Sequence, residues 1–178
     1  MNKLILDDRK YKGLISKICR DIAQGAWRPD IIVGIGRGGL LPAVMISQYF
    51  GIKMNSLDIS LRDGGDCVTN CGLAEDAFGH LYYDAMCSED GKKNILVVDD
   101  INDSGATINW LMNNWREVCH PDDERWENEI WNKNVKFAVV VDNWSSQCHV
   151  TMDFVGMEVN KAEQDVWIEF PYEEWWTK

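Results

Sequence analysis

The residues of this sequence best suited to chemistry are two adjacent carboxylates, Asp99 and Asp100, followed by Asp103, Ser104, Gly105, Ala106 and Thr107. Paired carboxylates accept hydrogen bonds from vicinal hydroxyls, and the small and hydroxylic residues after them suit an anion. The first amides of a helix lack internal partners, the helix dipole favours negative charge there, and a glycine lets the backbone approach closely. Ser104 and Thr107 add hydroxyl donors, so a phosphate fits the turn and a sugar diol fits the acids before it. A second cluster, Gly36-Arg37-Gly38-Gly39, offers backbone amides and a fixed positive charge to another anion.

Each cluster needs a strand to deliver it and a helix to follow it. Residues 95–98, Ile-Leu-Val-Val, form an apolar run typical of a strand covered on both faces; it ends in charge at Asp99, and residues 108–115 read as helix. Residues 30–35 read as a second buried strand and 40–50 as its helix. Leu14, Ile15, Ile18 and Ile22 give residues 7–24 helical spacing, with Asp7 and Asp8 at the start and Gly25 and Pro29 at the close. Further strands are expected over 51–60, 135–141 and 153–159. This alternation predicts an α/β fold, an open, mostly parallel twisted sheet flanked by helices, with Arg37, Asp99, Asp100 and Asp103 converging at its carboxyl edge.

A single domain is expected over 1–178, with three departures from the regular pattern. Residues 61–91 lack periodicity and read as a long flexible loop, a lid that has room for a short hairpin at 80–85. In an acidic insertion at 116–134, Trp126 and Trp131 anchor a short helix on the body or on another subunit. The aromatics of the C-terminal segment, 143–176, tether the tail or cover a flat ligand. A net charge of −11 argues against a nonspecific grip on nucleic acid or an anionic membrane. No apolar stretch is long enough to span a bilayer and no signal-peptide pattern opens the chain, so a cytoplasmic location is expected. The six cysteines form no C-x-x-C framework, and the adjacent pairs Cys119-His120 and Cys148-His149 have poor spacing for zinc.

VVDDINDSGAT resembles the phosphoribosyl-pyrophosphate signature of the type I phosphoribosyltransferases. GIGRGGLLPA resembles that family's first loop, with a cis peptide expected at Gly36-Arg37, and DVWIEFPYEEWW is similar to the base-binding segment of the xanthine-guanine branch. The resemblance implies a magnesium-dependent purine phosphoribosyltransferase that moves the 5-phosphoribosyl group from phosphoribosyl pyrophosphate to guanine, xanthine or hypoxanthine. It implies pyrophosphate at Gly36, Arg37, Gly38 and Gly39, and ribose hydroxyls at Asp99 and Asp100, with Asp100 also directed at Mg2+. The 5′-phosphate falls to Asp103, Ser104, Gly105, Ala106 and Thr107, and Asp103 faces N7 of the purine. Trp167 stacks on the base and the backbone of Ile168 reads its edge. The family usually places a lysine after the strand at 135–141, where this sequence has Asn143, an uncharged donor; Arg62 is the nearest basic residue of the loop for pyrophosphate. A homodimer or homotetramer is implied. Two other readings are a non-catalytic regulator that keeps the phosphoribosyl-pyrophosphate pocket, and a transferase for a different base.

Overall fold

The structure, a computed structural model, describes residues 2–59, 61, 70–79 and 91–177. In chain order these form β1 (Asn2–Ile5), α1 (Asp8–Gln24), β2 (Ile31–Gly36), α2 (Leu40–Phe50), β3 (Met54–Asp58) and α3 (Cys71–Phe78). They continue as β4 (Ile95–Asn102), α4 (Ala106–Val118), β5 (Val135–Asn143), β6 (Phe154–Val159) and β7 (Val166–Glu169). Five strands make one sheet in the order β3-β2-β4-β5-β6, and every pairing in it is parallel. The expected open parallel sheet is therefore the fold.

Side chains alternate across a strand, so the sheet carries a core on each face. Val33, Val97 and Phe137 face one layer with α3 and α4, whereas Ile32, Leu96, Ala138 and Val140 face the other with α1 and α2. Asp7 caps α1 by accepting from the Lys10 amide at 2.7 Å, and the spaced Ile15, Ile18 and Ile22 are buried beneath it. From β2 the chain turns through α2 to β3 on one side; from β4 it turns through α4 to β5 on the other. The neighbouring strands β2 and β4 thus flank the switch point where a parallel sheet opens a crevice, and both anion-binding candidates sit at their carboxyl ends.

Four features depart from the sequence reading or add to it. The β4 strand does not end at Asp99: Ile101 and Asn102 continue the ladder opposite Val141 and Asp142, so the strand carries the two acids through the sheet edge. Helix α3 lies inside the stretch expected to be loop, capped by Asn70, whose side chain accepts from the Leu73 amide at 3.1 Å. The hairpin at 80–85 and Arg62 fall outside the described residues. Within the insertion, Trp126 and Trp131 dock on the body through a π-helical turn, Trp126–Ile130. The two indoles stack at 5.0 Å, and Trp126 Nε1 donates to the Cys119 carbonyl at 3.0 Å. Finally, β1 was not foreseen. It pairs in parallel with β7, setting Lys3 opposite Trp167 and Leu4 opposite Ile168, and the Lys3 ammonium meets Glu169 at 3.0 Å. Among the described residues no helix is long and apolar enough to cross a membrane.

Candidate active site

The turn from β4 into α4 is shaped by Gly105, whose φ of 85° is a left-handed conformation that costs other residues energy. A Cβ there would also collide with the backbone of Gln147 and Cys148. That neighbouring loop braces the turn: the Gln147 amide donates to the Ser104 carbonyl at 3.0 Å, and Asn109 Nδ2 donates to the Gln147 carbonyl at 2.8 Å. Gly105, at the N-cap of α4, has no side chain to cap it, and the Ala106 amide donates to Ser104 Oγ at 3.3 Å. The amides that follow are offered to a ligand at the positive end of the helix dipole. Asp99, Asn102, Asp103, Ser104 and Thr107 line one crevice in front of them.

Asp100 does not join that crevice. Its carboxylate lies against Gly38, where any Cβ would overlap it, and its Oδ2 accepts from the Tyr172 hydroxyl at 2.6 Å. Adjacent residues of a strand project to opposite sides, which accounts for the divergence of two acids that are neighbours in sequence. Asp100 is instead brought to the Gly36–Gly39 cluster, in which the Gly36-Arg37 peptide is cis and Arg37 is exposed. Burial and the Asp100 charge push the Tyr172 phenol above its ordinary pKa, so it remains a donor.

At the other end of the turn, Asp103 is gripped twice. Lys161 Nζ meets its carboxylate at 2.8 Å, and Asn143 Nδ2 donates to its carbonyl at 2.8 Å. The Asn143 Oδ1 in turn accepts from the Lys161 amide at 3.0 Å and from Ser145 Oγ at 2.9 Å. One buried carboxamide thus ties the β4–α4 turn to the loop before β7. Asn102 makes a parallel tie, donating to Asp142 at 2.8 Å and to Ser146 Oγ at 2.9 Å. Burial nevertheless raises the Asp142 pKa above the usual carboxylate range.

The profile of the phosphoribosyl transferase domain matches residues 3–174. This chain belongs to the phosphoribosyltransferase family. It is 28% identical over 152 residues to a xanthine-guanine phosphoribosyltransferase from Roseobacter denitrificans, covering 84% of this chain and 70% of that one. It is 22% identical over 176 residues to the bifunctional protein PyrR of Endomicrobium trichonymphae, covering 92% and 89% respectively. The fold is also that of a purine phosphoribosyltransferase from Pyrococcus horikoshii, with a TM-score of 0.64, 21% identity, and 98% and 96% of the two chains covered.

The expected residues of this phosphoribosyltransferase-family site have different immediate neighbours. Asp99 and residues 103–107 share the crevice; Asp100 joins Gly38; Asn143 stands behind Asp103 with its carboxamide engaged at both ends. The Asn143 nitrogen gives one of its two N–H donors to the Asp103 carbonyl. Asp100 lies beside Gly38, next to Arg37, while Asp99 and Asp103 line the crevice before α4. Trp167 is 40% exposed on β7 and does not line the crevice. Carbonyls of Asp165 and Glu169 accept from Asn2 and Leu6, so by alternation the N–H and C=O of Ile168 face away from β1. Lys161, Tyr172 and the 145–148 brace were not singled out from the sequence. Lys161 lies in a polar turn without periodicity, and Tyr172 was read only as part of an aromatic tail.

Proposed function

We propose that this chain transfers the 5-phosphoribosyl group of phosphoribosyl pyrophosphate to a free purine base, guanine, xanthine or hypoxanthine, releasing pyrophosphate and a nucleoside 5′-monophosphate. The observation that carries the reading is the glycine turn at the start of α4 with Asp99 and Asp103 lining the same crevice. It offers phosphate donors, a carboxylate for the sugar and a proton acceptor within one substrate's reach. The purine assignment is supported by the likeness of the C-terminal segment to the xanthine-guanine branch and by the Roseobacter relative.

In this reading residues 103–107 hold the 5′-phosphate through α4 amides and the Ser104 and Thr107 hydroxyls, while Asp99 accepts from a ribose hydroxyl. The diphosphate lies along Gly36–Gly39, with Arg37 supplying positive charge where negative charge develops. The bond from the anomeric carbon to the diphosphate oxygen breaks with its electron pair leaving on oxygen. A base nitrogen lone pair forms the new bond. The proton given up by the base passes to Asp103, whose ammonium partner Lys161 moves aside or onto the base. Trp167 and the outward backbone of Ile168 receive the base.

Magnesium binds through oxygen, commonly with one or two carboxylates completed by substrate phosphates. Among the described residues no group of three or more His, Cys, Asp or Glu could enclose an ion, yet Asp100 beside Gly38 presents a single carboxylate at the proposed diphosphate loop. The residues therefore fit an ion that arrives with its substrate, with Asp100 as its protein ligand. Such an ion supplies charge neutralisation to the leaving diphosphate.

The test is pyrophosphate release with guanine, xanthine, hypoxanthine and adenine in the presence of magnesium. Release with the 6-oxopurines is expected; absence of both turnover and phosphoribosyl-pyrophosphate binding would overturn the proposal. The length of the match to the PyrR protein favours a second reading, a phosphoribosyl-pyrophosphate-binding regulator or a transferase for another base. Tight binding without purine turnover would select it. A cytoplasmic homodimer or homotetramer without nucleic acid or membrane partners belongs to the same proposal, and sedimentation tests the assembly.

A further inference from the structure

The residue after the base-side strand reaches across to a carboxylate assigned to the sugar and diphosphate. Tyr172 Oη donates to Asp100 Oδ2 at 2.6 Å, while Asp100 Oδ1 accepts from the Ile101 amide at 2.8 Å. A carboxylate has about four acceptor positions, so two stay available and their direction is set by these two donors. The phenol is itself held in place. Its ring stacks on Phe170 at 5.5 Å and 9°, and Tyr11 of α1 meets both rings edge-on, at 6.1 Å and 6.0 Å. Phe170 is fixed by the core and by its amide, which donates to Glu173 at 2.9 Å.

We propose that Tyr172 is a positioning residue: it holds the Asp100 carboxylate over Gly38 so that the remaining acceptor positions meet the phosphoribosyl-pyrophosphate complex of magnesium. This deepens, and rests on, the transferase reading above. An exposed carboxylate loses rotational freedom when a ligand arrives; one already fixed by a short, charge-assisted phenol bond has lost it on folding. The Tyr11 hydroxyl, buried in the same aromatic cluster, has no hydrogen-bond partner among the described residues. It supplies the internal control, since Tyr11→Phe removes a hydroxyl that feels the Asp100 charge but makes no hydrogen bond to it.

Tyr172→Phe keeps the stack and removes only the bond to Asp100. Calorimetric titration with phosphoribosyl pyrophosphate and magnesium should show affinity falling about tenfold in Tyr172→Phe, the loss typical of one hydrogen bond to a charged group, and staying unchanged in Tyr11→Phe. In turnover the KM for phosphoribosyl pyrophosphate should rise by a similar factor while the KM for the base stays within about twofold. If Tyr172 merely tethered the tail, the base KM would move instead, and that result overturns the proposal. A ligand-free readout is the double-mutant cycle of Tyr172→Phe with Asp100→Asn in urea unfolding. A coupling of about fivefold or more in the unfolding equilibrium is expected, and a value near unity overturns the positioning role. Wild-type protein that binds no phosphoribosyl pyrophosphate overturns the transferase reading and this one together; normal wild-type binding with an unaffected Tyr172→Phe overturns only this one.

Discussion

Asp103 joins a proposed chemical duty to a structural one, and substitutions can separate them. Asp103→Asn leaves the backbone carbonyl that Asn143 grips but removes the proposed proton acceptor. Turnover should fall by roughly 10²–10⁴-fold, with phosphoribosyl-pyrophosphate affinity nearly unchanged, as steady-state kinetics and calorimetry would show. Asn143→Ala does the reverse: it strips partners from a buried cluster and should cost roughly 2–4 kcal/mol in urea unfolding. Gly105→Ala demands a left-handed backbone and a position already filled by the 147–148 loop. Thermal unfolding should report a loss of about 2 kcal/mol or more, and binding of phosphoribosyl pyrophosphate should weaken with it. The acids and the glycine turn could be read from residue type because their chemistry is local. Tyr172 and Lys161 could not, since each acquires its role from a partner 72 and 58 positions away, the latter from 161 minus 103.

At the scale of elements, the buried strands β2, β4 and β5 and the helices α1 and α2 were legible because each carries its own periodicity or apolar run. The exceptions share a physical cause. The four residues of β1 contain two apolar side chains and are mostly exposed, so nothing in them but a distant partner specifies a strand. Helix α3 is only eight residues long, and two of its four buried residues, Ala74 and Ala77, are small, so the helical spacing they share with Leu73 and Phe78 is too short and weak to stand out. The two ends of β4 also behave differently: four apolar residues specify the buried part, whereas pairing with β5 carries Asp99 to Asn102 onward against their propensity. Removal of residues 2–5 should release β7, raising the base KM while leaving phosphoribosyl-pyrophosphate affinity close to wild type. Kinetics on the shortened protein check this, and equal loss of both affinities would contradict the separation of base and sugar halves.

For the whole molecule, charge is the dominant unspent term. With a net charge of −11, self-repulsion opposes compactness, and salt should raise the melting temperature. The buried carboxylates add to this. Burial raises the pKa of Asp142, and also that of Asp153 although it accepts from the Phe137 amide and Asn132. A carboxyl with a higher pKa folded than unfolded binds more protons in the native state. Stability is therefore gained as pH falls through the raised folded value, fully present below the unfolded value of about 3.9, and lost as pH rises again. Urea unfolding should accordingly show this contribution growing as pH is lowered from 7 towards 4, with less dependence on pH in Asp153→Asn.

The β1–β7 pairing has one more consequence, which concerns order in time. A ribosome makes residues 2–5 well before residues 166–169, so β1 must wait, unpaired, while all the strands of the larger sheet are synthesised. The five-stranded sheet and its phosphate turn can assemble earlier, because β2 to β6 lie between those ends. A nascent chain should thus complete the proposed phosphate turn before it completes the proposed base-side strand pair.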